Sequence, residues 1–453
     1  MTKGNAAELI VRFALPLIVG NIFQQLYTVT DAAIVGKGVG IGALAAVGAV
    51  DWVVWLFFGL LQGATQGFSV IISQVFGAGD YKRLRNMRAM AELISIILTV
   101  VIVGSGLILQ SQIVGLLNIP DEVLSDAKLY LTIITAGLPC YVFYNIYASF
   151  LRAVGNSKVP FVAIVVASLT NIALDSVAVF VLKLGVMGAA AATVFSQFMS
   201  GLVCFITVCR TDVFKYRMRD IKLDIEDAKN LLKVGMPIGF QNFVIAVGGV
   251  VLTAVVNNFG TVFIAGFTAG NKFYGVLEIA ALSFGLAVTT YVGQNFGAGE
   301  KERVREGLKS AIKMAIIVAA VLGIAAVVFS KSIAGLFISS EDPVLSAQAL
   351  EIGAFYLTLM GSFLPVLYMI YITRFALQGL GEAMPSVYSA GAELVARVVV
   401  ALIAAALVIP RLTIWGEIIA WIVGFLVSLY SYVKRMRKMF PAVKNETVPG
   451  GEK

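Results

Sequence analysis

Gln74-Val-Phe-Gly-Ala-Gly-Asp80 returns 220 residues later as Gln294-Asn-Phe-Gly-Ala-Gly-Glu300, and a basic run follows each copy. A repeat at fixed distance sets the architecture of a long chain before any local reading does. Working outward, Leu15-Pro16-Leu17-Ile18-Val19-Gly20 answers Met236-Pro237-Ile238-Gly239, and Tyr130-Leu131-Thr132 with Pro139 answers Tyr356-Leu357-Thr358 with Pro365. Gly155 with Pro160 likewise answers Gly381 with Pro385, so the offsets stay between 220 and 226 over most of the 453 residues. The chain reads as a duplication. Neither glycine motif carries the Lys-Ser/Thr of a phosphate loop, and both read as helix ends.

The repeated unit is apolar. With 59% hydrophobic and 13% charged residues and a mean hydropathy of +0.92, the chain falls far below the ~25% charged residues of a soluble domain. This excludes soluble enzymes, nucleic-acid readers and disordered scaffolds; no enzymatic activity and no nucleic-acid partner are expected. The net charge of +8 is spread between apolar runs, as topology signals are. Histidine is absent, which removes imidazole proton shuttles, Ser/His and Cys/His pairs and conventional transition-metal sites. Cys140, Cys204 and Cys209 lie within apolar runs and form neither a disulfide framework nor a zinc pattern. Any proton chemistry falls to carboxylates, and no cofactor or structural metal is expected. Lys3, Glu8 and Arg12 precede the first apolar run without a small-residue cleavage site, so that run reads as a retained helix.

A spanning helix needs ~20 largely apolar residues. Twelve runs qualify, at 13–36, 44–74, 89–111, 128–151, 159–182, 185–209, 234–258, 263–294, 311–337, 348–377, 385–409 and 413–433. Placing the N-terminus in the cytoplasm puts Lys82, Arg83, Arg85 and Arg88, then Arg152 and Lys158, then Lys301, Arg303, Arg305 and Lys309, and finally Lys434, Arg435, Arg437 and Lys438 on one side. The connection between spans six and seven joins them with Arg210, Lys215, Arg217, Arg219, Lys222, Lys229 and Lys233, while loops on the other side are acidic at Asp121, Glu122, Glu341 and Asp342. Both termini are therefore expected in the cytoplasm. Six spans per unit make the repeat parallel, an all-α integral membrane protein of two pseudo-symmetric six-helix lobes. The expected division is an N-lobe at 1–210, a linker at 211–233, a C-lobe at 234–440 and a tail at 441–453. Such duplications mark secondary transporters, with the substrate route between the lobes.

Ionisable groups inside spans are functional candidates, since a charge at a helix centre costs ~2.5–3.5 kcal/mol even on the lenient insertion scale. Asp31 on the first span and Asp175 on the fifth lie at similar depths below its outer surface. Asn171 sits four residues before Asp175 on the same helical face. Thr193, on the sixth span, reaches the same level. Two carboxylates in one low-dielectric site do not readily both carry charge, which suits a proton switch. With an amide and a hydroxyl oxygen they also make an oxygen-only site fit for a hard cation such as Na⁺.

Taken together, the Gln/Phe-Gly-Ala-Gly repeat, the Pro16 to Asp31 spacing, and Asn171-Ile-Ala-Leu-Asp175 followed by Gly185-Val-Met-Gly188 and Thr193 resemble the multidrug and toxic compound extrusion (MATE) family, over essentially residues 10 to 435. The resemblance implies that Asp31, Asn171, Asp175 and Thr193 form an N-lobe cation-coupling site and that Pro16 marks a bend in the first helix. It also implies lipophilic, mostly cationic substrates. Some branches carry an acidic residue in the middle of the seventh helix; here Ile238-Gly-Phe-Gln-Asn-Phe-Val-Ile-Ala-Val247 has none. This matches the DinF-like branch, in which coupling runs through the N-lobe.

In the C-terminal half, Lys272, Glu278, Arg374, Glu393 and Arg397 are intramembrane charges. Glu393 and Arg397, spaced i, i+4, are expected to form a structural ion pair. Glu278 is expected to pair with Lys272 or to attract a cationic substrate, and Arg374 is a substrate or gate candidate. Asp51 maps by the repeat onto Asn271 or Lys272, so Asp51 and Lys272 either approach each other as a gate when the outer side closes or reach the outer interface independently. The function expected is a bacterial-type inner-membrane antiporter, working as a monomer among membrane lipids, that expels small organic cations in exchange for H⁺ or Na⁺. The alternative is a flippase of a lipid-linked oligosaccharide, which would want several arginines in its cavity.

Overall fold

The computed structural model describes residues 1–117, 119–216, 221–222, 224–338 and 343–441. Arg217, Arg219, Glu341, Asp342 and nearly all of the tail expected at 441–453 lie outside the described residues. Almost everything else is helix: α1 (Ala6–Gly38), α2 (Ile41–Gly77), α3 (Tyr81–Ile108), α4 (Gln110–Leu116), α5 (Asp121–Ala153), α6 (Lys158–Ser176) and α7 (Gly185–Arg210) in the first half. The second half repeats the series as α8 (Ile225–Val256), α9 (Thr261–Gly297), α10 (Lys301–Val328), α11 (Ser330–Gly335), α12 (Pro343–Gly379), α13 (Met384–Leu407) and α14 (Pro410–Met439). Twelve of these are long and apolar enough to cross a bilayer.

The two series match element by element. Both α2 and α9 have 37 residues, both α3 and α10 have 28, and each half inserts one short helix, α4 or α11, after its third span. At 1.5 Å per residue α2 and α9 are about 55 Å long, so they outrun a ~30 Å hydrocarbon core. Both end in the repeated glycine motif. Gly79 and Gly299 take φ of 74° and 78°, a left-handed conformation that closes the helix and is cheap only for glycine. Gly155 and Gly381, at φ of 89° and 83°, end α5 and α12 in the same way. Helix starts are set by side chains that accept from free N–H groups: Asn5 from Ala7 and Glu8, Asp80 from Arg83, and Asp224 from Glu226.

α8 starts at Ile225, so the last third of the segment expected as linker is already helix. Phe214 and Tyr216 before it, and Asp227 in its first turn, are anchored to α3. Arg88 donates to the Phe214 carbonyl at 2.9 Å and lies 4.9 Å over the Tyr216 ring, while Arg83 pairs with Asp227 at 2.8 Å. The Tyr216 hydroxyl donates to Glu92 at 2.9 Å; burial and that carboxylate push the phenol up to about 12, so it keeps its proton.

Within the first half α5 packs on α2 and α7, and α6 on α1 and α7; within the second α12 packs on α9 and α10, and α13 on α8 and α14. Between halves, α2 runs along α8 and α1 along α9. The α2–α8 crossing is built on small residues. Gly59, Gly63 and Gly67 recur at four-residue spacing on α2, and Gly235 and Gly239 face them on α8. A Cβ on Gly63 would lie 2.6 Å from the Gly239 Cα, and one on Gly235 2.9 Å from the Ala64 carbonyl, so the backbones touch.

Candidate functional site

α1, α6 and α7 pack against one another in the first half, and each delivers a polar group to their shared interior. Asn171 and Asp175 occupy one face of α6, one turn apart, with only 1% and 0% of their surface exposed. The Asn171 amide donates toward the Thr193 hydroxyl of α7 at 3.4 Å. Asp31 enters from α1, and its carboxyl faces that of Asp175 within hydrogen-bond reach. Such a bond exists only when one of the two holds a proton. With both ionised, Asp31 Oδ1, Asn171 Oδ1 and both Asp175 oxygens are buried acceptors without a donor. Among the described residues no lysine or arginine forms an ion pair with either carboxylate. All four residues expected at the site are thus brought together.

Tyr27, one turn before Asp31, and Tyr130 of α5 close the wall around the carboxylates, and Gln197 of α7 supports Tyr27. The sequence reading missed these three. Tyr27 and Gln197 were in principle findable, being four residues from Asp31 and Thr193 on the same helical faces. Immediately past Asp175, α6 widens into a π-helix over Val177–Val181, a distortion frequent at functional sites.

A buried, donor-less set of oxygens costs stability, since each unsatisfied group forfeits about 1–3 kcal/mol. A proton shared between the carboxylates removes the cost by supplying the missing donor. A sodium ion would remove it as well, by ligation to the same oxygens.

The second half is built differently at the corresponding place. By the repeat, Arg397 stands where Asn171 stands, at an offset of 226, and Glu417 where Thr193 stands, at 224. Arg397 donates to both oxygens of Glu417, at 2.7 and 2.9 Å. The expected pair between Glu393 and Arg397 is therefore not formed. Glu393 on α13 pairs instead with Arg374 of α12, and Arg374 also donates to Ser389 at 2.8 and 3.1 Å. A guanidinium gains more from a two-pronged approach by a carboxylate on another helix than from a single contact one turn away. Arg374, 5% exposed, is engaged in this pair. The second half thus holds a paired guanidinium where the first half holds a neutral amide.

Glu278 accepts from the Tyr371 hydroxyl at 2.5 Å and makes no ion pair with Lys272. Lys272 is instead the cation facing Asp51 across α2 and α9, near enough to attract it and outside ion-pair distance. Pro16 lies within α1, which runs unbroken from Ala6 to Gly38.

A family model described as MatE matches residues 16–177 and 237–403 of this chain. The probable multidrug resistance protein YoeA of Bacillus subtilis is 28% identical over 346 residues, 75% of each chain. The probable multidrug resistance protein NorM of Thermotoga maritima is 26% identical over 381 residues, 83% of this chain and 80% of its own. Among solved structures, a MATE protein in complex with MaL6 superposes with a TM-score of 0.90 at 26% identity, covering 97% of this chain and 98% of the other.

Proposed function

The chain belongs to the MatE family, and from that premise we propose that it is a transporter that exports drugs and toxic organic compounds across a bacterial-type plasma membrane. Its relatives include probable multidrug resistance proteins that it matches over most of their length, and its twelve-span fold superposes on that of a MATE protein. The finer reading is antiport. The observation that carries it is the buried pair Asp31 and Asp175, which lacks donors unless one proton or one cation is present. We take the proton as the coupling ion, because the two carboxyl groups already lie within the reach that one shared proton needs. Moving one charge across 100 mV then supplies ~2.3 kcal/mol per cycle.

In this reading the first-half and second-half helix bundles are the two lobes, and they rock about the α2–α8 and α1–α9 contacts. The basic ends of the helices face the cytoplasm, as Lys and Arg resist translocation. Lipophilic, mostly cationic compounds are the substrates, and the protein works as a monomer in its lipid surroundings with no cofactor beyond the coupling ion. A flippase for a lipid-linked sugar would need free arginines for a pyrophosphate, and Arg374 and Arg397 are already bound to Glu393 and Glu417.

The test is efflux of a fluorescent organic cation from proteoliposomes under an imposed proton gradient or an imposed sodium gradient. Proton-driven efflux that persists without sodium is the expected result. Efflux that survives collapse of the proton gradient and is lost on sodium removal would reassign the ion; no efflux under either gradient would sink the antiport reading.

A further inference from the structure

The repeated Gln-X-Phe-Gly-Ala-Gly motif has no part in the carboxylate site, which lies toward the opposite ends of the helices. Its two glutamines nevertheless make a reciprocal pair of contacts between the halves. Gln74, near the end of α2, donates its amide to the Gly379 carbonyl at 2.8 Å. Gln294, near the end of α9, donates to the Ala153 carbonyl at 2.7 Å. Gly379 and Ala153 are the last residues of α12 and α5, 226 positions apart, like the other anchors in this part of the repeat. Carbonyls in the last turn of a helix have no partner within it. Each half thus supplies the acceptor that the other half's glutamine completes.

The first glycine of each motif makes this approach possible. A Cβ on Gly77 would overlap the Gln294 carbonyl, and one on Gly297 would overlap the Gln74 carbonyl, so the last turns of α2 and α9 cross backbone to backbone. Gln294 is fully buried there, and Ser73 is buried against Gly293 one position before the motif. A second tier continues inward, where Gln66 of α2 donates to Gln378 of α12 at 3.4 Å and Asn242 of α8 donates to the Gly59 carbonyl of α2 at 3.0 Å.

We propose that Gln74 and Gln294 are twin latches that hold the halves closed at their basic ends, each by capping the final carbonyl of a helix in the opposite half. The duplication thereby explains why the motif was kept in both copies: a contact related by the pseudo-two-fold is made twice by one sequence. Both latches are uncharged amides, so their strength does not follow the protonation of Asp31 and Asp175. Release must then come from the lobes being driven apart elsewhere. Losing a latch favours the state open at the basic ends.

The test reads opening directly and needs neither substrate nor coupling ion, so its failure is separate from failure of the antiport reading. Ser73→Cys is introduced into a protein carrying Cys140→Ala, Cys204→Ala and Cys209→Ala, and its reaction with a water-soluble maleimide is timed in nanodiscs, where both faces are accessible. From the net worth of a hydrogen bond, Gln74→Ala and Gln294→Ala should each raise the rate roughly twofold to tenfold, and the double variant by the product. Gly77→Ala, which wedges the crossing, should raise it as well. Single variants that elute and melt like the parent and label at its rate, or more slowly, overturn the proposal even if the double variant fails to fold. So does a rise confined to Gly77→Ala, which would show a contact without a latch.

Discussion

Asp175 is a buried carboxylate and Glu417 a half-buried one in corresponding bundles, and the structure predicts different consequences when each is replaced by its amide. In Asp175→Asn, a residue with no exposed surface trades two donor-less oxygens for one oxygen and an NH₂ that Asp31 can accept from. The shared proton already gives the parent one donor between the carboxyl groups and the amide supplies the same, so the variant should be about as stable as the parent. Glu417→Gln instead leaves the Arg397 guanidinium, 9% exposed, without the carboxylate that it now contacts through two nitrogens. Stripping one partner from a buried ion pair costs about 3–5 kcal/mol. The two variants should therefore lie roughly 3 to 5 kcal/mol apart. Equilibrium unfolding in mixed micelles, titrated with a denaturing detergent and followed by tryptophan fluorescence, measures the difference. If Asp175→Asn is the less stable variant, or if the two are equal, then the first-half carboxylates are structural and the distinction drawn between the bundles is wrong.

Three further outcomes are expected. Asp31→Asn and Asp175→Asn should each abolish gradient-driven efflux in proteoliposomes at wild-type membrane levels; wild-type efflux across several pH values would make that residue structural. Cysteines at positions 51 and 272 in the cysteine-free background should crosslink and trap the carrier closed at its outer side, whereas no crosslink in any condition, with Asp51→Asn fully active, removes the outer gate. Gly63→Leu should block transport by wedging α2 off α8, since even a Cβ there comes within 2.6 Å of the Gly239 backbone; unimpaired transport would show that this crossing is not kept during the cycle.

The spans, the parallel duplication and the Asp31, Asn171, Asp175 and Thr193 cluster were legible because each rests on periodicity or spacing along the chain. Asn171 and Asp175 share a face by helical geometry alone, and depth could be counted from helix ends. Partners across helices were not legible. Glu393 and Arg397 carry the spacing of an intrahelical pair, yet Arg374 and Glu417 approach from α12 and α14 with better geometry, and nothing in the local sequence records that approach. The same holds for Gln74 and Gln294, whose acceptors lie 305 and 141 residues away. The π-helical turn after Asp175 left no mark either, because Val-Ala-Val-Phe-Val suits an ordinary apolar helix equally well.

If one proton held by Asp31 and Asp175 exchanges with substrate, then substrate binding must expel it, and the proton released on adding substrate reports that exchange. A permanently charged organic cation is added to the purified protein in weakly buffered detergent solution without sodium, and the pH change is recorded. About one proton per protein should leave the wild type, because two carboxylates in one dry site share a single proton, and none should leave Asp31→Asn or Asp175→Asn. Cation binding without proton release between pH 6 and 8, or release that persists in both variants, would contradict the account.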